Sequence, residues 1–144
     1  MYADCYVLTD KRTKNIIANF LDKFIPDRTE SADEYVINAR SNRHDKIVKN
    51  VDDIINYLTN NRETDYAIYW RNNVENEVQG AMCFFTKDGN LILGLYCLTN
   101  YPDTKIEEHY LNMMKEFLRS DLGYIDYESP PPDNKEEFLE RLTQ

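Results

Sequence analysis

Four glycines, three cysteines, two histidines and one tryptophan are all that the 144 residues hold of these types. Each scarcity removes a class of chemistry. With so few glycines there is no phosphate-cradling loop, dinucleotide fingerprint or nucleophile elbow, and no H-E-x-x-H occurs. Cys5, Cys83 and Cys97 lie in strand-like runs without C-x-x-C spacing, so neither a disulfide framework nor a zinc site is indicated. Reduced, buried thiols in a cytoplasmic protein are expected instead. No apolar run approaches the length of a membrane span, and Met1-Tyr-Ala-Asp-Cys-Tyr6 lacks the basic-then-apolar pattern of a secretory signal. Neither a membrane nor a bound cofactor is expected.

Basic charge is scarce in one half only. Residues 1–72 carry 11 Lys/Arg against 12 Asp/Glu, giving −1, whereas residues 73–144 carry 6 against 14, giving −8. Phosphate binding needs a basic face, so nucleic acid is excluded as a partner and a basic protein is favoured. Arg40, Arg43, Lys46 and Lys49 form a small basic cluster, interleaved with acids, that does not change this.

What is present is a folded globule. Hydrophobic residues make up 42% and aromatic residues 12% of the chain, enough for one domain over 1–144 with a substantial core. The most apolar stretch, Gly80 to Leu98, reads as a β-hairpin around Asp88-Gly89, a pair that tolerates the positive φ of a tight turn. With those two as the loop, Lys87 pairs with Asn90, Phe85 with Ile92, Cys83 with Gly94 and Ala81 with Tyr96. Met82, Phe84, Leu91, Leu93 and Leu95 then share one face, and Ala81, Cys83, Phe85, Ile92, Tyr96 and Leu98 the other. Both faces are apolar, so cover is expected on each.

Around the hairpin, Tyr2–Leu8 reads as a first strand. Thr9 or Asp10 then caps a helix with the stripe Ile16, Ile17, Phe20, Leu21 and Phe24, ended by Pro26. Residues 27–33 read as loop and 34–38 as a short strand. Asn50 caps a second helix with Asp52 and Asp53 in its first turn. Tyr66–Arg71 is a strand of a meander with the hairpin, and Tyr69 is expected under a helix. Thr104 and Glu107 form a capping box for a third helix with Ile106, Tyr110, Met113, Met114, Phe117 and Leu118 on its apolar side, left at Gly123. Gly123–Tyr127 is a last edge strand, Pro130–Pro132 a rigid connector, and Asn134 caps a short final helix anchored by Phe138, Leu139 and Leu142. The expected fold is α+β: an antiparallel sheet of about five strands around the central hairpin, packed by three to four helices.

His109 with Asp103, Glu107 and Glu108 is the one cluster suggestive of metal or acid–base chemistry. Two-residue spacing separates Glu107 from His109 around a helix, and the acids are accounted for by the helix start. The chain is therefore read as a protein-binding module and not an enzyme.

In size, acidity, lack of catalytic motifs and α+β pattern, the whole chain resembles the small cytoplasmic immunity proteins that bacteria use against polymorphic toxins. The resemblance implies a protein that neutralises a toxin by covering its active surface, acidic side chains opposing basic residues of, for example, a nuclease. Steering by the acidic half and docking of tyrosine anchors then point to Tyr101, Asp103, Glu107, Glu108, Asp126, Tyr127 and Glu128 as partner contacts. Two other classes compete: a homodimeric regulatory or scaffold domain closed through a hairpin face or edge strand, and a small-ligand binder or enzyme built on a pocket of convergent polar groups.

Overall fold

The computed structural model describes residues 1–37 and 46–143; Arg40, Arg43 and His44 lie outside the described residues. The element order is β1 (Tyr2–Thr9), α1 (Lys14–Phe24), β2 (Arg28–Glu30), β3 (Tyr35–Ile37), β4 (Lys46–Val48), α2 (Val51–Asn60), β5 (Tyr66–Asn72), β6 (Val78–Phe85), β7 (Leu91–Leu98), α3 (Lys105–Leu118), β8 (Gly123–Asp126) and α4 (Lys135–Arg141). The fold is α+β. Among the described residues, six strands form one antiparallel sheet in the order β2-β5-β6-β7-β1-β8, and β3 pairs with β4 apart from it. The β6–β7 hairpin is central, and β5-β6-β7 is the expected meander. The sixth strand is β2, which reads as loop because Arg28-Thr-Glu30 pairs with β5 through its backbone alone.

The hairpin register differs from expectation by one residue. Phe85 pairs with Leu91, Phe84 with Ile92, Cys83 with Leu93 and Met82 with Gly94. The cause is Thr86. Its N–H donates to Asn90 O at 3.1 Å, its hydroxyl accepts from Asn90 N–H at 2.8 Å, and Gly89 takes φ 87°, so Lys87-Asp88-Gly89 is a three-residue loop with a left-handed glycine. Ala81, Cys83, Phe85, Leu91, Leu93 and Leu95 therefore share one face; Met82, Phe84, Ile92 and Tyr96 share the other.

The two faces are covered unequally. On the first, Ile17, Phe20 and Leu21 of α1, Ile54, Ile55 and Leu58 of α2, and Leu111, Met114 and Leu118 of α3 close the main core over Cys5, Val7, Cys83 and Leu93. On the second, the short α4 lays Phe138, fully buried, on Tyr6, Leu8, Met82 and Ile92. The rest of that face stays partly open: Tyr2, Leu98 and Tyr69 are 53%, 41% and 43% exposed. Tyr69 is thus not under a helix; it meets Phe84 edge-to-face at 5.9 Å.

The helix starts also sharpen. The α1 cap is Thr13, four residues or fewer after the expected Thr9 or Asp10, accepting from Ile16 N–H at 3.3 Å; Thr9 instead accepts from Lys11 N–H. Asn50 and Asn134 cap α2 and α4 as expected. α3 ends on Arg119 in the left-handed region, φ 52°, and not at Gly123. Gly123 has another use: a Cβ there would stand 2.8 Å from Tyr6 O, so glycine lets β8 close against β1.

Candidate partner-binding site

Antiparallel pairing of β1 with both β7 and β8 brings the exits of those two strands together, since Tyr2 faces Leu98 and Asp4 faces both Tyr96 and Asp126. The segments that follow, 99–104 and 127–129, therefore meet at one corner. Tyr101 and Tyr127 contact edge-to-face with ring centroids 5.0 Å apart. They line an open groove of about 550 Å³ with Met1, Ile125, Asp126, Glu128 and Ser129. Four of the seven predicted contacts thus fall on one surface. Tyr101 is 56% exposed and Glu128 is exposed.

Glu107 is the main correction. It is 0% exposed and cannot touch a partner. The Thr99 hydroxyl donates to its Oε2 at 2.6 Å and the Tyr127 hydroxyl donates to the same oxygen at 2.8 Å, while Oε1 is buried without a partner. Glu107 is thereby drawn away from the capping box: Thr104 makes no side-chain cap bond and donates its hydroxyl to Glu108 Oε2 at 2.5 Å. Asp103 Oδ1 accepts from Lys105 N–H at 3.0 Å in its place. The buried stripe of α3 consequently runs Glu107, Leu111, Met114, Leu118, and Phe117 is 38% exposed.

Asp126 is committed inside the fold as well. It pairs with Arg141 and accepts from the N–H groups of Glu128 and Ser129 at 2.9 and 3.0 Å. Burial alone would raise its pKa; those N–H donors and the Arg141 cation outweigh it and hold the carboxyl below the ordinary aspartate value. Asp4, on the same face, is shifted the other way, chiefly by burial, with the Tyr6 hydroxyl opposing and Asp126 adding to it. Burial and the neighbouring Glu107 push the Tyr127 phenol up, so it stays a donor. Glu128 is therefore the groove's solvent-facing carboxylate, and Asp103 and Glu108 are exposed on the adjoining turn of α3.

Two aromatic rings beside a carboxylate suit a cation. Among the described residues no group of three His, Cys, Asp or Glu comes together to hold a metal, and His109 packs on the Tyr110 ring at 5.1 Å. The Cys5 thiol, in contact with Cys97 and buried, is pushed up and donates to Glu107 O at 3.4 Å. A second groove of about 460 Å³ between α1, α2 and β5 is lined by Lys14, Asp52 and Arg28, but Lys14 pairs with Asp52 and Arg28 with Asp22, so its charges cancel.

Sequence reasoning passed over Met1, Ile125 and Ser129, which carry no chemical signature, and the Thr99–Glu107–Tyr127 cluster, whose members are far apart in the chain. It also passed over Arg12, 2% exposed at the opposite end of the sheet. The Arg12 guanidinium donates to Leu58, Thr86, Asn90, Asn61 and Thr64 carbonyls at 2.6–3.2 Å and lies 5.0 Å above the Phe85 ring. No protein-family model matches this chain, and no curated protein or solved structure is significantly similar to it.

Proposed function

We propose that this chain is a non-enzymatic, cytoplasmic protein-binding module that captures a basic protein at the Tyr101–Tyr127–Glu128 groove, in the manner of an immunity protein neutralising a toxin. The supporting observation is the convergence of Tyr101, Asp126, Tyr127 and Glu128 on one groove in the half of the chain that carries −8. That charge steers a basic partner, and the aromatic pair offers two ring faces on which a lysine or arginine side chain can seat. Affinity capture from the native cell with mass spectrometric identification tests the reading. A basic protein retained by wild type and lost with Glu128→Lys or Tyr101→Ala, more readily as salt is raised, supports it; an unchanged yield from both variants overturns it.

A second reading is a homodimer closed through the open end of the second sheet face, favoured by the exposure of Tyr2, Tyr69 and Leu98 there. Light scattering after sizing, with Tyr69→Lys and Leu98→Lys beside wild type, separates the two: a dimer that resists dilution to micromolar concentration and is lost in these variants supports this reading.

A further inference from the structure

The main sheet has two edges, β2 and β8. The β2 edge, Arg28-Thr-Glu30, carries charges of both signs that discourage further pairing. Gly123-Tyr-Ile-Asp126 carries none until its last residue and is partly exposed throughout. Among the described residues β8 pairs with β1 alone.

The register shows which of its backbone groups point outward. Leu8 N–H donates to Leu122 O at 2.8 Å, and antiparallel hydrogen-bonded pairs recur every second residue, so Tyr124 and Asp126 turn their N–H and C=O toward β1. Ile125 therefore presents its N–H and C=O to the open edge, beside the outward C=O of Gly123. Two grooves run along this edge and share Ile125. One, of about 470 Å³, is flanked by Lys115 of α3 and Arg141 of α4; the other, of about 550 Å³, is the candidate site itself.

We infer that the partner enters as an extended segment that adds to the free edge of β8, exchanging backbone hydrogen bonds with Ile125 and placing a lysine or arginine between Tyr101, Tyr127 and Glu128. This rests on the basic-partner reading above. The occupant follows from charge at the Tyr101–Tyr127 end of the edge: Glu128 lines that groove, Lys115 lines only the other, and Arg141 is held by Asp126, so a basic side chain is drawn there, whereas a second copy would bring another −9. The mode is strand addition, in which main-chain bonds hold the ligand and alternate side chains select it.

The test uses the full chain, isotopically labelled for NMR, with two synthetic peptides at millimolar concentration: acetyl-Thr-Lys-Val-Lys-Val-Thr-amide and its Glu-for-Lys counterpart. The lysine peptide is expected to slow exchange of the Ile125 amide by about tenfold and to shift Tyr101 and Glu128 signals, while the glutamate peptide does neither. Ile125→Pro, which removes the outward N–H and spares the β1 ladder, abolishes the Tyr101 and Glu128 shifts; Glu128→Lys abolishes the slowed Ile125 exchange and the Tyr101 shift without touching the edge. Tyr101 and Glu128 shifts with unchanged Ile125 exchange overturn strand addition and leave the basic-partner reading standing. Equal protection by both peptides overturns the basic specificity, and Ile125 protection that grows with protein concentration alone overturns the occupant in favour of a second copy. Ile125 unaffected and no shifts at the groove overturn the inference and the reading together.

Discussion

Arg12 and Glu107 are both charged side chains sealed in the protein, 2% and 0% exposed, at opposite ends of the main sheet. At the hairpin end, five carbonyl oxygens receive the Arg12 donors and Phe85 takes its face, so the cation is fully matched and ties β1's exit, the end of α2 and the hairpin loop into one frame. At the other end, Glu107 crowds both its hydroxyl donors onto Oε2 and leaves Oε1 buried and bare. A satisfied buried charge belongs to the fold's frame. Glu107, held by the Thr99 and Tyr127 hydroxyls, instead joins α3 to the two segments that carry Tyr101 and Tyr127.

The largest effect that sharpens this contrast is at Arg12. Arg12→Met strands several buried carbonyls and is expected to cost about 3–5 kcal/mol in urea unfolding, whereas an equivalent loss below about 1 kcal/mol would dissolve the contrast. Arg12→Lys recovers only part, because one ammonium cannot reach acceptors spread around a planar fork. At the other end, Glu107→Ala opens a cavity and orphans the Tyr127 hydroxyl, for about 2–3 kcal/mol, but Glu107→Gln lands within about 1 kcal/mol of wild type, since the amide oxygen still accepts from both hydroxyls. An amide variant as costly as the alanine one would contradict an acceptor role carried by one oxygen. Tyr127→Phe costs about 1 kcal/mol, the hydroxyl's share of that cluster.

The smallest effects are in the pH dependence, where two neighbouring aspartates act with opposite sign. Asp126 has a depressed value in the folded state, so its stabilisation is present above the ordinary 3.8 and is lost as pH falls through the lower folded value; Asp126→Asn should lower the melting temperature at pH 7 and flatten the acid limb. Asp4 has a raised value, so its carboxylate opposes folding at neutral pH, and that penalty fades as pH falls through the raised folded value. Asp4→Asn should therefore raise the melting temperature at pH 7 and lose that advantage in acid. Thermal melts of the two variants from pH 7 to pH 2 check both signs.

Much of the frame was legible because periodicity reports it. The stripe Ile17, Phe20, Leu21, Phe24 marks α1, and the apolar runs on either side of Asp88-Gly89 mark the central hairpin. Its register was not, because the Thr86 hydroxyl, bonded to Asp88 Oδ1 and to Asn90 N–H, adds Lys87 to the Asp-Gly pair as a third loop residue. Glu107 looked like half of a capping box since nothing local shows that Thr99 and Tyr127, eight and twenty residues away, take its carboxylate inside. Arg12 was invisible for the same reason: its carbonyl partners lie 46 to 78 residues further along the chain. At the groove, Tyr101, Tyr127 and Glu128 were legible from residue type and charge, while Ile125 was not, because an outward backbone N–H has no signature in sequence.

Hydrogen–deuterium exchange of the chain alone and with a basic protein recovered by affinity capture tests the central claim most directly. Slowed exchange confined to residues 99–108 and 123–129, with residues 58–64 and 86–90 around Arg12 unchanged, is the predicted result. Protection at the hairpin end with none at the Tyr101–Tyr127 corner would contradict it.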